Sequence, residues 1–216
     1  RIWANKKYSG ISKINVKNSS NSRRNISRRR WSSHQSVEDI ALMRAIPGMV
    51  VLSPADAVET KKMVFAAAEY NGPVYIRMGR LDVETIFDEA TYDFQIGIAN
   101  TVREGNDVTI AATGLMTAEA LKAADILAQE GISVRVINVG TIKTTWWRDN
   151  LKSSTRKQKF IITAEEHSVI GGLGSAVSEF LSEVHPTKVK KLGLYDKFGQ
   201  SGKSKWAFRE IWVNSS

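Results

Sequence analysis

No cysteine occurs among the 216 residues, and that one absence removes disulfides, thiolate metal sites and a cysteine nucleophile together. Histidine is nearly as scarce: His34, His167 and His185 are the whole supply of imidazole for acid–base work. No apolar run is long enough to span a bilayer, and the polar, basic start has no apolar stretch behind it. Neither membrane contact nor a secretory signal is expected, and a cytoplasmic protein is. Acidic residues are missing from one entire segment. Residues 1–31 hold ten Lys or Arg and no Asp or Glu, which leaves 21 bases against 22 acids in residues 32–216. The formal charge of +9 therefore resides in the leader, while the rest of the chain carries −1. The leader also lacks any sustained apolar period, so poor order is expected over residues 1–32. Two readings fit it: a basic arm that would bind nucleic acid from an α/β body, and a non-native or damaged leader.

From Ser36 onward the pattern is that of a folded α/β chain. Ser36 and Asp39 have the spacing of a capping box; Val37, Ile40, Ala41 and Met43 follow at helical intervals before Pro47-Gly48 stops the helix. Met49–Leu52 is a short apolar strand. Ser53-Pro54-Ala55-Asp56 opens a second helix with Val58, Met63, Phe65, Ala66 and Ala67 on its apolar side, and Asn71-Gly72 is expected to close it as a left-handed cap. Pro73–Arg77 is the next strand. Residues 81–104 are mixed and acidic and read as a linker with a short edge strand or hairpin. Beyond them Asp107–Ala112, a helix from Thr117 to Gly131, and Ile132–Val139 make a βαβ unit. Phe160–Thr163, the helix Gly174–Val184 and the strand Val189–Leu194 complete a small parallel or mixed sheet.

Few strings carry chemistry. GQSGKS at 199–204 resembles a phosphate loop, but Lys197 stands where its first glycine belongs and no strand leads into it. GGLGS at 171–175 opens a helix, either as an anion cradle at the positive helix end or, in the favoured reading, as a tight strand-to-helix turn. Glu165, Glu166 and His167 stand at a strand end, where they read equally as acid–base groups or as a polar interface cluster. His185 beside Pro186 reads as a surface turn.

Longer strings carry a family resemblance. SHQSVEDIALMRAIPGMVVLSPADAVE at 33–59 and PVYIRMGR at 73–80 resemble the pyrimidine-binding domain of transketolases. ATGLMTAEALKAADIL at 112–127, EEHSVIGGLGSAVSEFL at 165–181 and YDKFGQSGK at 195–203 resemble the C-terminal domain of the same family, above all as the separate C-terminal subunit of split enzymes. The resemblance implies an α/β chain: a truncated pyrimidine-domain fragment at 33–80, then a small C-terminal domain with a mostly parallel sheet at 105–205. Deoxyxylulose-phosphate synthases and the β subunits of 2-oxoacid dehydrogenases share the architecture but fit LMRAIPGMVVLSPADA less well.

The implied activity is transfer of a two-carbon ketol unit between sugar phosphates, using thiamine diphosphate and a divalent cation, Mg or Ca. His34 matches the histidine expected to meet sugar hydroxyls, and Arg80 matches the arginine that binds an acceptor's phosphate. Capping or an interface role for His34, and a solvated strand end for Arg80, are the structural alternatives. The implied partner is a thiamine-diphosphate-binding N-terminal subunit, in a homo- or hetero-oligomer, with no nucleic acid involved. The residues that activate and sandwich the thiamine would precede Arg1, so no cofactor or metal ligand is assigned, and the chain alone is expected to be inactive.

The departures from the family come in blocks, at 1–32, 144–159 and 206–216, and all six tryptophans lie inside them. One permitted coding string for residues 18–32, read from its second base, gives I-A-A-T-H-A-G-I-S-V-G-E-D-G, the run the family carries before its THQS string. The same shift turns residues 206–215 into G-L-L-E-K-Y-G-L-T-A. These blocks are therefore expected to be frame-shifted, and the C-terminal domain to be the better-ordered half.

Overall fold

The computed structural model describes residues 15–22, 36–79, 83–143 and 160–196, which build two sheets. The first contains β1 (Lys17–Ser22), β2 (Val50–Leu52), β3 (Val74–Gly79) and β7 (Thr141–Lys143), in the order β1-β3-β2-β7. Its helices are α1 (Asp39–Arg44) and α2 (Ala57–Glu69). The second sheet contains β4 (Asn100–Arg103), β5 (Val108–Ala112), β6 (Val134–Asn138), β8 (Phe160–Ser168) and β9 (Lys188–Leu194), in the order β4-β6-β5-β8-β9. Its helices are α3 (Met116–Gln129) and α4 (Leu173–Val184). All pairings are parallel except β2 with β7 and β4 with β6. The architecture is the mixed α/β, mostly parallel arrangement expected from the sequence.

Both sheets are covered on two faces because their strands alternate between two apolar sets. Val51 and Tyr75 face α1 with Ile40, Met43 and Ile142, while Val50, Leu52, Val74 and Ile76 face α2 through Met63 and Ala67. In the second sheet Ala111, Ile137 and Ile161 meet α4, whose Leu173, Ala176, Val177, Phe180 and Leu181 recur at helical spacing. Ile110, Val134 and Val136 meet α3 through Met116, Ala120 and Ala124.

Several local expectations are corrected. Lys17–Ser22 lies within the leader read as poorly ordered, yet it pairs with β3 from Lys17 opposite Val74 to Ser22 opposite Gly79. An edge strand is held by backbone hydrogen bonds, so it forms here without the apolar alternation that would have announced it. Ser36 does not cap α1; Glu38 occupies the cap position, with no side-chain cap from within the segment. α2 ends at Tyr70, whose backbone is extended (φ −67°, ψ 127°), in place of a left-handed cap at Asn71-Gly72. Phe65, expected on its apolar side, is 64% exposed. Among the described residues no helix is long and apolar enough to cross a membrane.

Candidate functional site

Open parallel sheets place ligands outside the carboxyl ends of their strands, and here the carboxyl ends of β2, β3 and β5 converge on one cavity of about 460 Å³. Ser53 to Ala57 and Thr60 line it from the β2–α2 turn and the start of α2, Arg77, Met78 and Gly79 from the end of β3, and Thr113 to Leu115 from the β5–α3 turn. Gly114 takes a positive φ of 60° in that last turn, which glycine permits at no steric cost. The Asp56 carboxylate secures one wall. It caps α2 by accepting from Glu59 N (2.8 Å), and its other oxygen accepts from Ile86 N (2.8 Å) and Phe87 N (2.9 Å).

Behind the cavity lies a buried polar layer between the two sheets. Glu59 accepts from Ala55 N at 2.6 Å, from the Tyr92 hydroxyl at 2.7 Å and from Asn138 Nδ2 at 2.8 Å, while Thr117 donates to Asn138 Oδ1 at 3.0 Å. Burial pushes the Glu59 carboxyl up to about 7, against the three donors that favour its charged form. Burial and the adjacent Glu59 likewise raise the Tyr92 hydroxyl.

Arg77, 5% exposed, is the second element of this layer and reaches the cavity wall. Its Nε donates to Asp39 Oδ1 at 3.2 Å, and its Nη2 donates to the Glu166 carbonyl at 2.8 Å. Tyr75 adds a hydroxyl donor to Asp39 Oδ2 at 2.5 Å. A buried guanidinium is tolerable only when its donors are satisfied this way.

His34 and Arg80 both lie outside the described residues, as do GQSGKS at 199–204 and the divergent blocks at 144–159 and 206–216. Their neighbours are placed: Gly79, immediately before Arg80, is on the cavity wall, and the Ser36 carbonyl accepts from Arg77 Nη2 at 3.4 Å. Glu165 and His167 are fully buried, and Glu166 lines the cavity. The turn at GGLGS does receive an acceptor, and that acceptor is an internal carboxyl group. Glu165 accepts from Leu173 N at 2.6 Å and Gly174 N at 2.8 Å, and a Cβ on Gly172 would stand 2.0 Å from its Oε2. His185 is exposed at the end of α4. Sequence reading missed Asp39, Glu59 and Arg77. Two signals were present: the Asp56-x-x-Glu59 spacing of a helix start and a lone arginine inside the apolar run Val74–Met78.

The sequence model of the transketolase C-terminal domain matches residues 97–215, and that of the transketolase pyrimidine binding domain matches residues 28–85. The chain belongs to the transketolase family. It is 44% identical over 175 residues to a protein of Methanocaldococcus jannaschii described as a transketolase C-terminal section, covering 80% of this chain and 54% of that one. A 6-deoxy-6-sulfo-D-fructose transketolase subunit of a Clostridium species is 44% identical over 170 residues, covering 79% and 52%. Among solved structures, a split-gene transketolase, an inactive β4 tetramer, superposes with a TM-score of 0.88 at 42% identity, covering 97% of this chain and 65% of that one. The chain thus spans about half the length of the curated relatives it matches.

Transketolases depend on thiamine diphosphate, and a divalent cation accompanying its diphosphate would need clustered oxygen ligands. Among the described residues no three His, Asp or Glu side chains form such a group. Of the carboxylates at the cavity and behind it, Asp56 and Glu59 already accept from donors of the chain itself. The described residues therefore present no ligand set that fits the cation.

Proposed function

We propose that the chain is the C-terminal part of a transketolase that moves a two-carbon ketol unit between sugar phosphates. Thiamine diphosphate and its divalent cation are supplied by an N-terminal subunit, and this chain supplies groups that bind and orient the sugar. The observation that carries the reading is the cavity at the carboxyl ends of β2, β3 and β5, with Gly79 on its wall directly before Arg80. An arginine following that strand end supplies a planar fork of donors for a phosphate. His34, which precedes α1 by five residues, supplies a donor or acceptor for sugar hydroxyls.

The test combines this chain with a thiamine-diphosphate-binding N-terminal transketolase subunit, cofactor and magnesium, and follows transfer from a ketose phosphate to an aldose phosphate. Transfer is expected in the mixture. Arg80→Ala should raise KM for a phosphorylated acceptor by about 10–100-fold, the worth of a charge-assisted contact, and leave KM for the unphosphorylated aldose unchanged. An Arg80→Ala effect equal on both acceptors, or no transfer in the mixture, would refute the proposal.

A further inference from the structure

We propose that His167 is a positioning residue: from the end of β8, it caps α1 and so fixes the segment that joins α1 to His34. α1 has six residues and no side-chain cap from its own segment, leaving its first N–H groups to find partners elsewhere. The Ile40 N–H finds one in His167 Nε2, at 3.1 Å across 127 residues of sequence. The other ring nitrogen decides the tautomer. Nδ1 lies 2.7 Å from the Ser168 carbonyl oxygen, which can only accept, so Nδ1 carries the proton and the Nε2 lone pair is free to receive Ile40.

The neighbours of His167 extend the same grip. Ser168 N donates to the Val37 carbonyl at 2.8 Å, and Arg77 bridges the Glu166 and Ser36 carbonyls. Three consecutive residues of β8 thereby reach Ser36, Val37 and Ile40, the backbone that follows His34. Arg44 at the other end of α1 donates to the Gly171 and Gly172 carbonyls and pairs with Glu179 at 2.8 Å. α1 is held at both ends by the C-terminal half of the chain, which ties Ser36, Val37 and Ile40 to β8.

The charged groups around the imidazole set when the hold operates. Asp39 Oδ1 lies 3.8 Å from Nε2 and Glu165 Oε2 lies 3.8 Å from Nδ1. Burial keeps His167 neutral, lowering it to about 4; Arg77 adds to the lowering, and Asp39 with the Ser168 and Glu38 backbone works against it. Protonation would turn Nε2 from acceptor to donor and release Ile40.

The positioning role rests on the reading that His34 meets the sugar, so the experiment separates the two. In the intact chain, nitrogen NMR should show His167 as the Nδ1–H tautomer. The Ile40 amide protection factor should fall about tenfold in His167→Phe, the size of a lost cap, and recover in His167→Gln, whose carbonyl oxygen restores an acceptor. In wild type it should fall as pH drops through about 4. With the partner subunit present, His167→Phe should lower kcat with KM for the acceptor little changed, and His167→Gln should restore it. An Nε2–H tautomer in the unaltered protein, or unchanged Ile40 protection in His167→Phe, overturns the proposal whatever becomes of the variants' activity. Transfer by His34→Ala at the wild-type rate would instead refute the role of His34, and with it the kcat expectation, while the cap measured at Ile40 would stand.

Discussion

Glu59→Gln should flatten the dependence of stability on pH between about 4.5 and 7. The folded-state value of Glu59, about 7, lies above its ordinary 4.5, so over that interval the native state holds the extra proton and stability declines as pH rises. A shift of this size corresponds to about 3 kcal/mol, and urea midpoints measured across the interval would show the variant losing most of that slope. Glu165, also raised to about 7 by burial despite its two backbone donors, acts in the same direction. His167 opposes them. Its folded value of about 4 lies below 6.5, so its contribution is fully present above 6.5 and fades as pH falls toward 4. Removing Glu59 should therefore leave a profile in which the acid-side loss from His167 is easier to see.

At the level of elements, what could be read from sequence tracks burial. α4 and the β5–α3–β6 unit are legible because their apolar residues repeat at 3.6 or alternate at two, and the structure buries those residues. β1 was not legible, since KNSSNS offers no apolar face and its partner β3 lies more than fifty residues away. The apolar pattern of β8 stops near Thr163, before Glu165, Glu166 and His167, whereas the strand runs to Ser168. Their partners, Ile40, Arg77, Leu173 and Gly174, come from other elements, and local patterning carries no trace of such contacts. The candidate site was legible only as a resemblance at His34 and Arg80; the buried layer behind the cavity depends on pairings across the fold. β1 also contains a flaw that can be tested: the Asn18 side-chain nitrogen is buried without a hydrogen-bond partner. Asn18→Ile removes that donor and introduces a strand-favouring side chain. It should raise stability by about 1 kcal/mol, seen as a higher urea midpoint with an unchanged slope.

For the whole molecule, the sequence divides at a linker, but the structure ties the two sheets together. β7 follows β6 in the chain yet pairs with β2 in the first sheet, and Ser53 N donates to the Gly140 carbonyl at 2.8 Å. Glu59 with Asn138, and Ile40 with His167, add buried contacts at separate places. In place of a better-ordered C-terminal half melting last, one cooperative transition is expected, with far- and near-ultraviolet circular dichroism changing at the same temperature. Asn138→Ala should lower stability by about 1–3 kcal/mol, with both signals shifting to the same lower midpoint, because it leaves Glu59 and Thr117 short of a partner. Two separated melting steps would show that the sheets unfold independently.

The crossing of β7 into the first sheet also bears on how the gene could be cut. A fragment ending at the linker would leave β2 with a bare edge, and one beginning there would carry Thr141–Lys143 with nothing to lie against. A synthetic peptide containing those three residues and their flanks should dock on the first fragment and rescue its solubility, as donor-strand exchange does in other sheets.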